Sequence, residues 1–181
     1  MASSNVKKVK AGVFIDGSNM FWGSRESQIK IDWLKMKQHL EKHYKPQVFN
    51  YFGCEDTNPS EQYKKAAERQ QKYYNKLAGM GYDIKRKSLK KYGCGDTKCD
   101  MDLELVMDLR KYEDDLDCFI IFTGDSDFLP VVEKYWEEGK FIRIYSFEEL
   151  LSWELKTFAI NNPRCNYRII NDLEEVHWKE S

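Results

Sequence analysis

No stretch of this chain is apolar for long enough to cross a membrane, and no internal repeat or low-complexity tract is visible. The run Ala11–Ile15 behind Lys7, Lys8 and Lys10 is too short for the apolar centre of a secretory leader. An excess of either charge is also missing: 29 Lys and Arg stand against 30 Asp and Glu, a formal net charge of −1. That balance excludes a chain-wide electrostatic footprint for nucleic acid, so a polyanion must be met by a local patch. The five cysteines, Cys54, Cys94, Cys99, Cys118 and Cys165, are odd in number and contain no CxxC pair. A disulfide framework or zinc ribbon is therefore not expected. Reduced thiols in a cytoplasmic protein are, with Cys94–Cys99 as the one conceivable pairing. His39 and His43 stand four apart, a metal-binding spacing on a helix, but no third ligand accompanies them, and they read as a solvated face.

What is present fits one domain. At 181 residues, 41% hydrophobic and 33% charged, the chain can bury a sizeable core and remain globular. We expect a single domain over 1–181 with a core from about residue 9 to 170. Val9–Ile15 reads as a buried strand ending in the turn Asp16-Gly17-Ser18-Asn19. Asp32 caps a helix with Trp33, Met36, Leu40 and Tyr44 on one face; Pro46 breaks it, and Val48–Phe52 follows as a strand. Asn58-Pro59-Ser60-Glu61 is a helix start, with the helix running to about Leu77 and stopping at Gly79 or Gly81. Tyr82–Lys87 is a strand, Met101–Tyr112 a helix, and Cys118–Thr123 the most apolar strand. Then come a helix over Phe128–Glu138, a strand over Phe141–Tyr145, a helix over Phe147–Phe158 and a short strand over Tyr167–Ile170. This alternation predicts a mostly parallel sheet covered by helices on both faces.

In such a sheet, ligands bind outside the carboxyl ends of the strands, near the switch in strand order. Two strands end in acid-bearing turns, Ile15-Asp16-Gly17-Ser18-Asn19 and Thr123-Gly124-Asp125-Ser126-Asp127. Asp100 and Asp102 lie where the Met101–Tyr112 helix begins. Each piece has an ordinary structural use: a DG turn at Asp16, an N-cap at Ser126 or Asp127, and favourable charge at a helix start for Asp100 and Asp102. Their conjunction at one predicted sheet edge has no such use. Clustered carboxylates raise one another's pKa unless a cation compensates, and hard oxygen ligands suit Mg²⁺ or Mn²⁺. Such an ion activates water and braces a phosphodiester, so the expected reaction is in-line attack of a metal-activated water on an RNA phosphate.

Three motifs add a resemblance. Phe14-Ile15-Asp16-Gly17-Ser18-Asn19 resembles the opening motif of the NYN domains, the LabA-like branch of the PIN-like nuclease superfamily. Lys98-Cys99-Asp100-Met101-Asp102, with Asp108 six residues on, resembles that family's lysine–aspartate helix motif. Phe122-Thr123-Gly124-Asp125-Ser126-Asp127-Phe128-Leu129-Pro130 resembles its third motif, and the likeness spans roughly Val9–Ile170. The resemblance implies a PIN-like three-layer α/β/α sandwich and metal-dependent ribonuclease activity. It makes Asp16, Asp102, Asp125 and Asp127 the metal-binding acids. Asn19 would orient a phosphate or a water, and Asp108 would support the site. Six residues are about 600° of helix, so Asp102 and Asp108 do not share a face and one of them can be structural. Asp100 is an extra acid that leaves the register open. Ser18, Thr123 and Ser126 are candidate donors to phosphate oxygens.

Further along, Lys85, Arg86, Lys87, Lys90 and Lys91 lie beside Tyr92. They read either as an RNA-backbone contact, chiefly through Lys87, Lys90 and Lys91 with Tyr92 for stacking, or as lysines guarding an edge strand. The five tryptophans read as core or half-buried, with Trp22 close enough behind Asn19 to touch substrate. Glu148–Trp153 reads as an amphipathic helix packed internally or in a homodimer. The competing function is a non-catalytic RNA- or nucleotide-binding regulator on the same fold. The full set of acids favours the enzyme, since a pure binder gains nothing from negative charge beside phosphates. A haloacid-dehalogenase-type phosphatase wants an acid two residues after Asp16, where Ser18 stands. With so little positive charge, a partner protein that delivers RNA is compatible with either function.

Overall fold

Lys10–Asp16 forms strand β1, whose residues beyond Lys10 are all buried in a computed structural model that describes residues 8–91 and 97–179. The start Met1–Lys7, Tyr92 and Cys94 lie outside the described residues. Around β1 are laid β2 (Lys45–Glu55), β3 (Asp83–Ser88), β6 (Cys118–Phe122), β7 (Phe141–Ser146) and β8 (Cys165–Ile169). The order is β3-β2-β1-β6-β7-β8 and every pairing is parallel. Two short strands, β4 (Lys90–Lys91) and β5 (Thr97–Lys98), make a separate antiparallel pair. Helices α1 (Gly17–Glu26), α2 (Trp33–His43), α3 (Lys64–Gly79), α4 (Asp102–Lys111), α5 (Leu129–Glu137) and α6 (Trp153–Asn161) fill the connections.

Side chains alternate across a strand, so a sheet buried on both faces feeds two cores. Val13 and Ile15 of β1 and Ile120 and Phe122 of β6 join Met20 of α1, Met36 and Leu40 of α2 and Leu77 of α3. Phe14, Phe119 and Ile121 point the other way, onto Leu105 and Leu109 of α4, Val132 and Tyr135 of α5 and Leu155 of α6. The result is the expected α/β/α layering, three helices to each face. Among the described residues no helix is long and apolar enough to cross a membrane.

The structure departs from the sequence reading where local signals mislead. Residues 17–26 form α1, where the sequence predicts only a turn. This segment contains two glycines, poor helix formers, but Asp16 caps it by accepting the N–H groups of Ser18 and Asn19. Gly23 is buried, and a Cβ there would stand 2.2 Å from the Phe147 ring, so the close packing requires a glycine. Pro46 lies inside β2 rather than before it. Neighbouring β3 pairs only from Asn50 onward, and Gln47 is an extra residue opposite β1, so no ladder bond is asked of the proline. Asn58 starts no helix: Asp56 accepts its N–H, a single 3₁₀ turn covers Glu61–Tyr63, and α3 begins only at Lys64. The Phe147–Phe158 helix begins late, at Trp153, capped by Ser152. Phe147 is buried, whereas Trp153 and Trp22 are 73% and 55% exposed, so these tryptophans are not core. The cysteines also differ from expectation. Cys54 and Cys99, 45 residues apart, are joined by a disulfide, while Cys118 and Cys165 are free and buried. Spacing along the chain carries no sign of that pairing, because β2 and the approach to α4 meet only in the folded sheet.

Candidate metal centre

The chain leaves β1 to reach β2 on one side, and leaves β6 to reach β7 on the other, so the order switches between β1 and β6. Asp16 ends β1, and Thr123–Asp127 follow β6 at the same carboxyl edge. The amino end of α4 brings Asp102 there from a third segment. One oxygen each of Asp102, Asp125 and Asp127 lies within 4.8 Å of the others, the three drawn from two segments of chain.

Local structure holds each acid. Asp16 is buried, and its Oδ1 accepts Ser18 N–H at 3.0 Å and Asn19 N–H at 3.1 Å. Its Oδ2 takes only a long bond, 3.4 Å, from the Thr123 hydroxyl. That oxygen therefore keeps capacity for a further partner. Thr123 Oγ1 also accepts Asp125 N–H at 3.2 Å, and Asp125 Oδ1 accepts Asp127 N–H at 3.0 Å. Asp102 N–H donates to Asp100 Oδ1 at 2.9 Å. Asn19 Oδ1 accepts Gly124 N–H at 3.0 Å, which leaves the Asn19 amide NH₂ as its donor toward a ligand.

The electrostatics follow from this crowding. Burial is the main cause that lifts the Asp102 carboxyl to about 7, and the charges of Asp100, Asp16 and Asp125 add to it. Burial also raises Asp16. The N–H groups of Asn19 and Ser18 and the Thr123 hydroxyl oppose that rise, and the charge of Asp125 reinforces it. Carboxylates that repel in this way are the donor set a hard divalent cation compensates. Mg²⁺ holds ligands at about 2.0–2.1 Å, so opposed oxygens stand about 4.2 Å apart. Three oxygens that lie within 4.8 Å of one another fit that demand with small side-chain movement.

Other candidate residues fall elsewhere. Asp108 is only 2% exposed and is not among the three grouped acids. Its carboxylate accepts Asn50 Nδ2 at 2.5 Å and pairs with Lys111 at 2.7 Å. It is a buried tie between α4 and β2, as the 600° separation from Asp102 allows. Asp100 is exposed and accepts the Asp102 N–H just before α4, outside the group of three. Ser18 is exposed beside Asp16 and Ser126 is half-buried beside Asp125, whereas the Thr123 hydroxyl is already engaged by Asp16 and Asp125 N–H. The basic stretch lies on and beyond edge strand β3, and most of its charge is paired. Lys85 meets Asp83, Arg86 meets Glu55, Lys87 meets Glu104 at 2.7 Å and donates to Asp100 O, and Lys91 meets Asp56 at 2.8 Å. Lys90 is exposed on β4. His39 pairs with Glu175 at 3.1 Å rather than with a third metal ligand.

Gly124 also serves the site, although nothing local in the sequence signals it. A Cβ there would meet Leu150 O at 2.2 Å and Ser146 Oγ at 2.5 Å, and Gly124 O accepts Ser152 N–H. That close approach presses the acid-bearing loop against the segment before α6.

A doubly wound parallel sheet with acids gathered outside its switch point defines a class of α/β protein that handles its ligand at that edge. Within that class the assignment is specific: the NYN domain family model matches residues 10–161, and the chain belongs to that family, part of the PIN-like nuclease superfamily. It is similar to the Low amplitude and bright protein LabA of Synechococcus elongatus, 22% identical over 173 residues covering 91% of this chain and 85% of that protein. Its fold is similar to the crystal structure of a protein of unknown function from Vibrio parahaemolyticus. That match has a TM-score of 0.76 at 20% identity and covers 98% of this chain and 100% of the other.

Proposed function

We propose that this chain is a metal-dependent ribonuclease that hydrolyses RNA phosphodiester bonds at the Asp16–Asp102–Asp125–Asp127 edge. The observation that carries the reading is the convergence of Asp102, Asp125 and Asp127 oxygens within 4.8 Å at the switch point, with Asp16 outside that group but near enough for its charge to act on Asp102 and Asp125. Asp102, Asp125 and Asp127 would hold Mg²⁺ or Mn²⁺, and Asp16 Oδ2 would add a fourth oxygen. When bound, such an ion supplies Lewis acidity that makes water a better nucleophile and stabilises charge on a phosphate. The protein's own groups do the positioning. The two backbone N–H groups on Asp16 Oδ1 fix its carboxylate, so it need not reorganise during reaction. The Asn19 NH₂ and the Ser18 and Ser126 hydroxyls supply donors for phosphate oxygens around the acids. Lys87, Lys90 and Lys91 would guide the RNA backbone, with Lys87 and Lys91 exchanging their half-buried partners Glu104 and Asp56 for phosphate.

The test is cleavage of a mixed pool of labelled RNAs with Mn²⁺, Mg²⁺ or EDTA, beside Asp16→Asn protein. Metal-dependent cleavage that the variant loses supports the reading. RNA bound without cleavage in any metal supports a non-catalytic regulator on the same fold.

A further inference from the structure

Helix α1 leaves the candidate metal centre carrying an unusual outer face. Its buried residues are Gly17, Met20 and Gly23. The opposite face presents Ser18, Phe21, Trp22 and Arg25, all exposed and spaced i, i+3, i+4 and i+7, so they form one continuous strip. Phe21 and Trp22 are 53% and 55% exposed. Their rings meet edge to face, with centroids 5.4 Å apart and planes at 75°. The Arg25 guanidinium stands 5.7 Å from the Phe21 ring and 5.8 Å from the Trp22 ring. At 1.5 Å rise per residue, Trp22 lies about 9 Å along the helix from Asp16. That is within reach of a nucleotide next to a phosphate held at the acids.

We propose that Phe21, Trp22 and Arg25 form a base-stacking platform that selects single-stranded RNA and positions it for the acids; this rests on the ribonuclease reading above. Every base offers a π-face, so stacking on aromatic rings tolerates any sequence but requires the base to be unpaired. Bases inside a duplex have no free face to offer. Arg25 places a cation beside the rings where the connecting phosphate would run, on a chain whose overall charge offers RNA no general attraction. Burying two exposed aromatics against a base also removes apolar surface from water. Ser18 continues the strip to the amino end of α1, where its N–H donates to Asp16.

The test is fluorescence anisotropy in EDTA, where no metal-dependent cleavage intervenes. The probes are a labelled oligouridine strand, the same strand with abasic sites, and a blunt RNA duplex. Wild type is compared with Phe21→Ala/Trp22→Ala, Trp22→Phe and Asp16→Asn. Since the substituted aromatics are exposed, the fold should be retained, and circular dichroism checks this. We expect the double variant to bind oligouridine at least tenfold more weakly. Trp22→Phe should keep much of the affinity, and abasic strand and duplex should not distinguish the variants. Equal oligouridine affinity in wild type and double variant overturns the platform, as does failure of wild type to bind oligouridine at all. If sedimentation shows instead that the double variant loses only self-association, the face is an interface between copies and the proposal fails. Stacking without cleavage in Mn²⁺ would keep the platform and reject the nuclease. Cleavage lost in Asp16→Asn but unchanged in the double variant would do the reverse.

Discussion

Asn19 Oδ1 accepts the backbone N–H of Gly124 at 3.0 Å, a bond across 105 residues that ties the first turn of α1 to the acid-bearing loop after β6. It sets the spacing between Asp16 and Asp125 without itself being an acid. Asn19→Ala should therefore reduce stability by about 1 kcal/mol, the usual worth of one such bond. It should also weaken Mn²⁺ binding. Urea midpoints and calorimetric titration measure the two effects, and unaltered Mn²⁺ affinity would show that the bond does not govern the acid spacing.

Asp125→Asn keeps the cap on Asp127 N–H, because an asparagine oxygen accepts that bond as well. The fold should survive with a melting temperature near that of wild type. Mn²⁺ affinity should fall and RNA turnover should be lost. A variant that still cleaves RNA at the wild-type rate would falsify the proposed site.

The pH dependence centres on Asp102, whose carboxyl is lifted from an ordinary 3.8 to about 7, chiefly through burial. An acid raised in this way keeps its proton in the folded protein while the unfolded chain has lost it. Its contribution to metal-free stability therefore falls as pH rises from about 4 to 7 and levels off above that. Metal needs the ionised form, so Mn²⁺ affinity should climb over the same window. The difference between urea midpoints of wild type and Asp102→Asn isolates this group. Parallel midpoint curves across that range would remove the burial argument.

Asp108 supplies the contrast. Asp108→Ala strands the buried Asn50 amide and should cost about 2–3 kcal/mol of stability. Mn²⁺ affinity of the folded fraction should hardly change, since Asp108 is outside the group of three acids. A loss of metal affinity as large as that in Asp125→Asn would place Asp108 in the centre after all.

Lys87, Lys90 and Lys91 replaced together by Ala should weaken RNA binding and flatten its salt dependence, by up to about 0.7 in logarithmic slope for each phosphate no longer neutralised. Binding measured across a salt series gives the slope. An unchanged value would mean that Lys87 and Lys91 remain with Glu104 and Asp56 and only secure the sheet edge.

Much of this architecture is legible from local pattern. The runs that become β1 and β6, and the acids that end them, are marked by apolar residues meeting Asp-rich turns. The parallel sheet follows from the alternation of strand and helix patterns. Helix α1 is not legible, because two glycines and a DG turn signal a break, whereas Gly23 is a packing requirement against Phe147. Without α1, the strip of Ser18, Phe21, Trp22 and Arg25 has no face to lie on.

Most of the strand order, the sheet class and the candidate acids are written locally, because they follow from periodicity and from residues adjacent in the chain. Which acids meet, and which do not, is fixed only in three dimensions. Folding brings Asp102 to Asp125 and Asp127, and it gives Asp108 to Asn50. It also joins Cys54 to Cys99, and it matches most of the basic stretch with acids from other segments. One cause is common to all four. Hydrogen bonds, charge pairs and disulfides act over a few ångströms of space, and distance along a chain does not report that separation.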